Sequence, residues 1–179
     1  TTSGTTDPTP APSVMFQDTL PGLTLSSFTA TGVSANPTAS GAFSFSQWGT
    51  GATQGDTAYA QLTGTLSASK YYQVSVSPDF ARAMNLTGIT FQVDRTATGP
   101  RTFAVRSSVD NYTNNLAATV VPSGTALSVQ GSNIFFFNAD TALTAGGSTI
   151  TLPLLAYSNP LTFTHLATPV TYRIYAWNA

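Results

Sequence analysis

With 179 residues, 41% apolar and 11% aromatic, the chain is long enough for one domain with a real core and too hydrophobic for disorder. Charged residues make up only 7% and the net charge is -1, which leaves no electrostatic footprint for nucleic acid or an anionic membrane surface. Cysteine is absent, which excludes disulfides, thiolate zinc sites and thiol nucleophiles, and no apolar run approaches the length needed for membrane insertion.

The charges are unusual in kind. There is no Glu; the acids are Asp7, Asp18, Asp56, Asp79, Asp94, Asp110 and Asp140. The bases are Lys70, Arg82, Arg95, Arg101, Arg106 and Arg173. Helix surfaces normally rely on Glu and Lys, so their scarcity argues against helices. Near-zero net charge also does little to keep copies of the chain apart.

In chain order, residues 1–13 (TTSGTTDPTPAPS) form a Thr/Pro-rich tail expected to be extended, with Pro8, Pro10 and Pro12 favouring polyproline II. The start at Thr1, with no Met, reads as a mature exported protein whose signal has been removed. Residues 14–179 then carry short apolar-alternating runs separated by Gly, Pro, Asn and Ser, the all-β pattern. The weaker runs are Leu23–Thr31, Ala42–Trp48, Ala58–Leu62, Leu116–Val121, Ala126–Val129 and Leu161–His165. The stronger ones alternate cleanly: Tyr72, Val74 and Val76; Ile89, Phe91 and Val93; Phe103, Val105, Ser107 and Val109; Ile150, Leu152 and Leu154; and Val170, Tyr172, Ile174 and Ala176. Such a period puts one face on a core and the other toward water or a partner. Within Asn133–Asn138, the run Ile134–Phe137 is apolar on both faces and predicts a strand covered on both sides. One helical turn is expected near Pro78–Met84. About ten short strands predict an antiparallel β-sandwich of jelly-roll type.

Gly88–Tyr112 (GITFQVDRTATGPRTFAVRSSVDNY), Lys70–Val74 (KYYQV) and Thr171–Ala176 (TYRIYA) together carry a likeness over about residues 58–177. They resemble secreted bacterial β-sandwich domains found in exported surface proteins with a Pro-Glu-Pro sorting signal. The resemblance implies export to the extracellular space or cell surface, and it speaks to fold more than to activity. Asn111 stands where the group usually has Gly, and no Pro-Glu-Pro tail is present. The group usually continues past the Arg-Ile-Tyr strand into one more strand, whereas this sequence ends at Ala179. The resemblance therefore implies a strand position to be filled from elsewhere, as in donor-strand complementation. Val14, Phe16 and Leu20 are the candidate apolar anchors, and the partner is a second copy, since head-to-tail exchange makes a filament. The competing expectation is that Val14–Leu20 pairs within its own sheet.

Chemistry-bearing constellations are weak. His165 is the only histidine, no Gly-x-Ser-x-Gly elbow occurs, and seven dispersed Asp with no Glu make a poor glycosidase. The expectation is a protein that is not an enzyme. Asp94, Arg95, Arg101 and Arg106 read as cross-strand ion pairing around the turn at Thr98-Gly99-Pro100, a turn that also brings Asp94 and Asp110 near each other. Asp110, Asn111, Asn114 and Asn115 are the best oxygen cluster for calcium, the one cofactor in view, although Asx turns explain them more simply. Trp48, Tyr112, Tyr175 and Trp177 are candidate stacking platforms for a polysaccharide, and core aromatics are the simpler account of each. Two readings follow: a self-assembling extracellular structural protein, or a carbohydrate-binding module of a secreted enzyme or adhesin, with residues 1–13 as its linker.

Overall fold

A computed structural model describes residues 21–36, 43–120, 126–155 and 162–179. Among them the chain is all β. The first strands are β1 (Leu23–Leu25), β2 (Thr29–Thr31), β3 (Ser34–Ala35) and β4 (Phe45–Ser46). Then come β5 (Tyr71–Pro78), β6 (Gly88–Arg95), β7 (Thr102–Ser107) and β8 (Thr119–Val120). The last four are β9 (Leu127–Gln130), β10 (Ile134–Phe137), β11 (Leu143–Pro153) and β12 (Val170–Trp177). The tail 1–13 and the anchors Val14, Phe16 and Leu20 lie outside the described residues.

The strands form a large sheet in the order β1-β5-β12-β7-β10-β9, with β2 also on β5, a small sheet β6-β11-β8, and a hairpin β3-β4. Every strand pairing is antiparallel. From β5 onward, the orders 5-12-7-10 and 6-11-8 are those of eight strands wound as a jelly roll. The difference from an even roll is β9, which stays hairpinned to β10 in the large sheet instead of extending the small one.

The alternating residues explain why the sheets stack. Val76 of β5, Phe103 and Val105 of β7, Phe135 and Phe137 of β10, and Val170, Tyr172 and Ala176 of β12 turn inward from the large sheet. Ile150 and Leu152 of β11 meet them from the small one, with Leu154 just beyond the strand. Phe103 stacks on Phe135 at 4.7 Å between ring centroids. Tyr72 is a hub for Phe28, Phe43, Phe45 and Trp48, which tie the β3-β4 hairpin to the core. Trp48 is buried in that cluster, and its indole N–H donates to the Phe45 carbonyl at 3.0 Å.

Three local expectations need correction. Ala58–Leu62 is a single 3-10 turn rather than a strand. The Gln61 side-chain carbonyl accepts from the backbone N–H groups of Thr57 and Ala58, a local alternative to a ladder. Pro78–Met84 is a plain turn after β5, not a helical one, and the described part of 161–165 contributes no strand. The runs Leu23–Thr31 and Ala42–Trp48 hold only short strands.

Candidate interaction surfaces

One side of the sandwich is closed and the other is open. On the closed side β8 and β9 lie against each other. On the open side the large sheet continues past β5 to β1 and β2, whereas among the described residues the small sheet stops at β6. β6 thus has β11 as its one described partner, over a register running from Gly88↔Pro153 to Val93↔Ser148. The register shifts between Ser148 and Leu143, a bulge that bends β11 before it meets Arg95. The inward side chains of β6 are exposed to the degree expected of a strand with one described neighbour. Ile150 and Leu152 are fully buried, but their cross-strand partners Phe91 and Ile89 are only half-buried. Leu23 and Leu25 of β1 are likewise half-buried against the core.

β6 ends at Arg95, its one buried residue. Here the expected cross-strand pairing fails, because β6 and β7 belong to different sheets. Arg95 instead meets Asp140 at 2.9 Å, and the fully buried Arg101 approaches the same carboxylate at 3.5 Å. The rest of both guanidinium groups is spent on backbone carbonyls: Gly99, Ala97 and Thr141 for Arg95, and Phe137, Asp56 and Asn138 for Arg101. Arg101 also lies 5.0 Å over the Phe136 ring. The backbone N–H of Gly55 holds the Asp140 carboxyl below its ordinary range; desolvation opposes this, and Arg95 reinforces it. This cluster ties the end of β6 to the segments around Asp56, Gly99 and Asp140. Among the described residues His165 is exposed, and its backbone N–H donates to the Asn85 side chain.

The glycan-stacking candidates are mostly inaccessible. Trp48, Tyr175 and Trp177 are 5%, 2% and 4% exposed, so none presents a ring face to solvent. Tyr175 and Trp177 do share the outer face of the large sheet, but the segment 49–66 lies across that end of it. Gly49 bridges to Trp177, Leu66 packs on the same cluster, and Tyr59 meets Phe136 edge-on. The buried Asn178 fixes this segment: its amide oxygen accepts from the Gly64 N–H at 2.7 Å and its amide nitrogen donates to the Thr102 hydroxyl at 2.9 Å. A Cβ on Gly64 would collide with the Thr50 carbonyl and the Asn178 amide. Tyr112 alone of the four is half-buried.

The calcium candidates are engaged with their own loop. Asp110 accepts from the backbone N–H groups of Thr113 and Asn114 and from the Asn114 amide. The Asn115 side chain accepts from Arg106 and donates to the Ser132 carbonyl. Asn111 takes the left-handed conformation (φ 56°), which Gly adopts freely and Asn tolerates better than most other residues. Among the described residues no group of three His, Cys, Asp or Glu side chains comes together.

The surface that sequence reasoning missed is the half of the large sheet's outer face that no described segment crosses. Register aligns Thr29, Gln73, Arg173 and Arg106 in one row across β2, β5, β12 and β7, with Ser75 and Thr171 in the next. Arg173 lies between two rings, 4.2 Å from the Tyr71 centroid and 3.9 Å from that of Tyr112. The alternation of β12 foretold its face, but only the fold reveals that Arg106 stands beside it. Compared with protein-family models, curated proteins and solved structures, this chain matches none.

Proposed function

We propose that this protein is a non-enzymatic, extracellular structural domain that assembles with copies of itself by strand donation. The observation that carries the reading is β6: an eight-residue strand, paired on one side among the described residues, with its inward row only half-buried. An unpaired edge of this length is a template for another extended segment, and natural monomers usually blunt such edges. β6 carries no Lys and no Pro, and its apolar row has no inward charge before Arg95. The donor suggested by sequence is Val14, Phe16 and Leu20 of a neighbouring copy, which would extend the small sheet and cover Ile89, Phe91 and Val93. A heterologous contact of this kind repeats without closing. The low charge supports the same reading, since little electrostatic repulsion opposes close packing of copies. The buried charges support a structural role, because Arg95, Arg101 and Asp140 tie loops together.

Light scattering coupled to size exclusion, with negative-stain microscopy, tests this on the chain with and without residues 1–20. Concentration-dependent assemblies of uniform width from the full chain, lost on truncation, are expected. A monodisperse monomer from both would overturn the proposal.

A further inference from the structure

The outer face of the large sheet holds a second surface, independent of β6. The half that no described segment crosses is built from Thr29, Gln73, Ser75, Thr171, Arg173 and Arg106, every one half-buried. Two features are unexpected for a passive surface. Arg173 and Arg106 are directly opposed on neighbouring strands, an arrangement that like charges disfavour. Yet among the described residues neither is within ion-pair distance of a carboxylate, although Arg95 and Arg101 share one. Second, Tyr112 has φ 59°, a left-handed backbone that is unfavourable for a bulky residue and that Asn111 beside it tolerates far better.

That strained backbone is put to use. The Tyr112 carbonyl accepts from Arg106 at 3.0 Å, and the Tyr112 and Tyr71 rings both lie against the Arg173 guanidinium. The Arg173 Nε donates to the Gln73 side chain at 2.8 Å. Packed against two rings, tethered at Nε and hydrogen-bonded to the Tyr175 side chain, the Arg173 guanidinium is held in place. Rigid presentation of that fork is what bidentate carboxylate recognition needs. The hydroxyls and amide in the adjoining positions suit a ligand rich in hydroxyl groups, not a further charged one.

We propose that this face binds an acidic polysaccharide of the polyuronate class, with a uronate carboxylate on Arg173 and Arg106 and sugar hydroxyls on Gln73, Ser75 and Thr171. Neighbouring strands set the backbones of the two arginines about 5 Å apart, so both side chains rise from one stretch of the face and can serve one carboxylate or two successive ones.

Calorimetric titration with tetragalacturonate, cellotetraose and tetraglutamate tests the assignment, with amide chemical shifts of the unmodified protein locating the contact. Tetragalacturonate is expected to bind, to weaken as salt is raised, and to shift the amides of Arg106, Tyr112 and Arg173. Arg173→Lys, which keeps the charge but loses the stacked fork, should lower affinity at least about tenfold. Arg106→Gln should weaken it as well, and Arg82→Gln, exposed at the β5–β6 turn, should not. Equal binding of cellotetraose, equal or tighter binding of tetraglutamate, no binding of tetragalacturonate at millimolar concentration, or shifts confined elsewhere would each overturn the proposal.

Discussion

β6 and β12 are both eight residues long and both alternate apolar with polar side chains, yet they end in different environments. β12 lies between β5 and β7, and five of its residues are buried, including Tyr175 and Trp177 on its outer face. β6 has one described neighbour and buries Arg95 alone. Periodicity decides which way a side chain points. The number of neighbouring strands, and whatever lies across the outer face, decide whether pointing that way means burial.

The largest expected effect falls where β6 does become buried. Asp140→Asn strands two buried guanidinium groups without their counter-charge and should cost about 3–5 kcal/mol in urea unfolding. The same carboxylate sets an acid limit. Its pKa is depressed in the folded protein, so its contribution is in place above the unfolded value of about 3.9 and is lost as pH falls through the folded value. The native protein should therefore lose stability on acidification below about pH 4, and Asp140→Asn should flatten that limb of the stability–pH curve. An unchanged limb would mean that other carboxylates govern it.

The core comparison is of similar size. Phe103→Ala, on β7 beside β12, removes a buried ring stacked on Phe135 and should cost about 3–5 kcal/mol. Phe91→Ala on β6 removes a half-buried ring and should cost roughly half as much in a monomer lacking residues 1–20. If a neighbouring copy donates a strand to this edge, the two costs should converge in the full-length protein. Equal costs in the truncated monomer would show that β6 is as buried as β12 and remove the contrast.

The smallest effect has the opposite sign. The buried Tyr172 hydroxyl has no hydrogen-bond partner among the described residues, and burial raises its pKa. Tyr172→Phe removes that unpaired group and should leave stability unchanged or raise it by up to about 1 kcal/mol, measured by thermal midpoint.

Much of the fold was legible because its longest strands carry local signals. The alternating runs at Tyr72–Val76, Ile89–Val93, Phe103–Val109, Ile150–Leu154 and Val170–Ala176 fall on strands β5, β6, β7, β11 and β12, except that Leu154 lies just past a strand end and Val109 sits exposed in a 3-10 turn after β7. Ile134–Phe137, apolar on both faces, is flanked on both sides as β10, with Phe136 turned toward Arg101 and Tyr59. What stayed hidden depends on residues distant in sequence. Nothing near Arg101 announces that Asp140 will neutralise it, and the segment 49–66 that covers Trp177 has no periodicity to betray its path. The arginine row was illegible for the same reason: Arg106 and Arg173 become neighbours only when β12 inserts beside β7.

The strand-donation claim is most directly tested by cysteine pairing, which the absence of native cysteine makes clean. Phe16→Cys combined in one chain with Ile89→Cys, and separately with Val93→Cys, samples both ends of the β6 row under mild oxidation. The account predicts a ladder of covalently linked copies on a denaturing gel from at least one pair, collapsing to monomer on reduction. A single band of internally bridged monomer would show that the segment pairs with its own β6, and no bridge from either pair would show that it does not lie there at all.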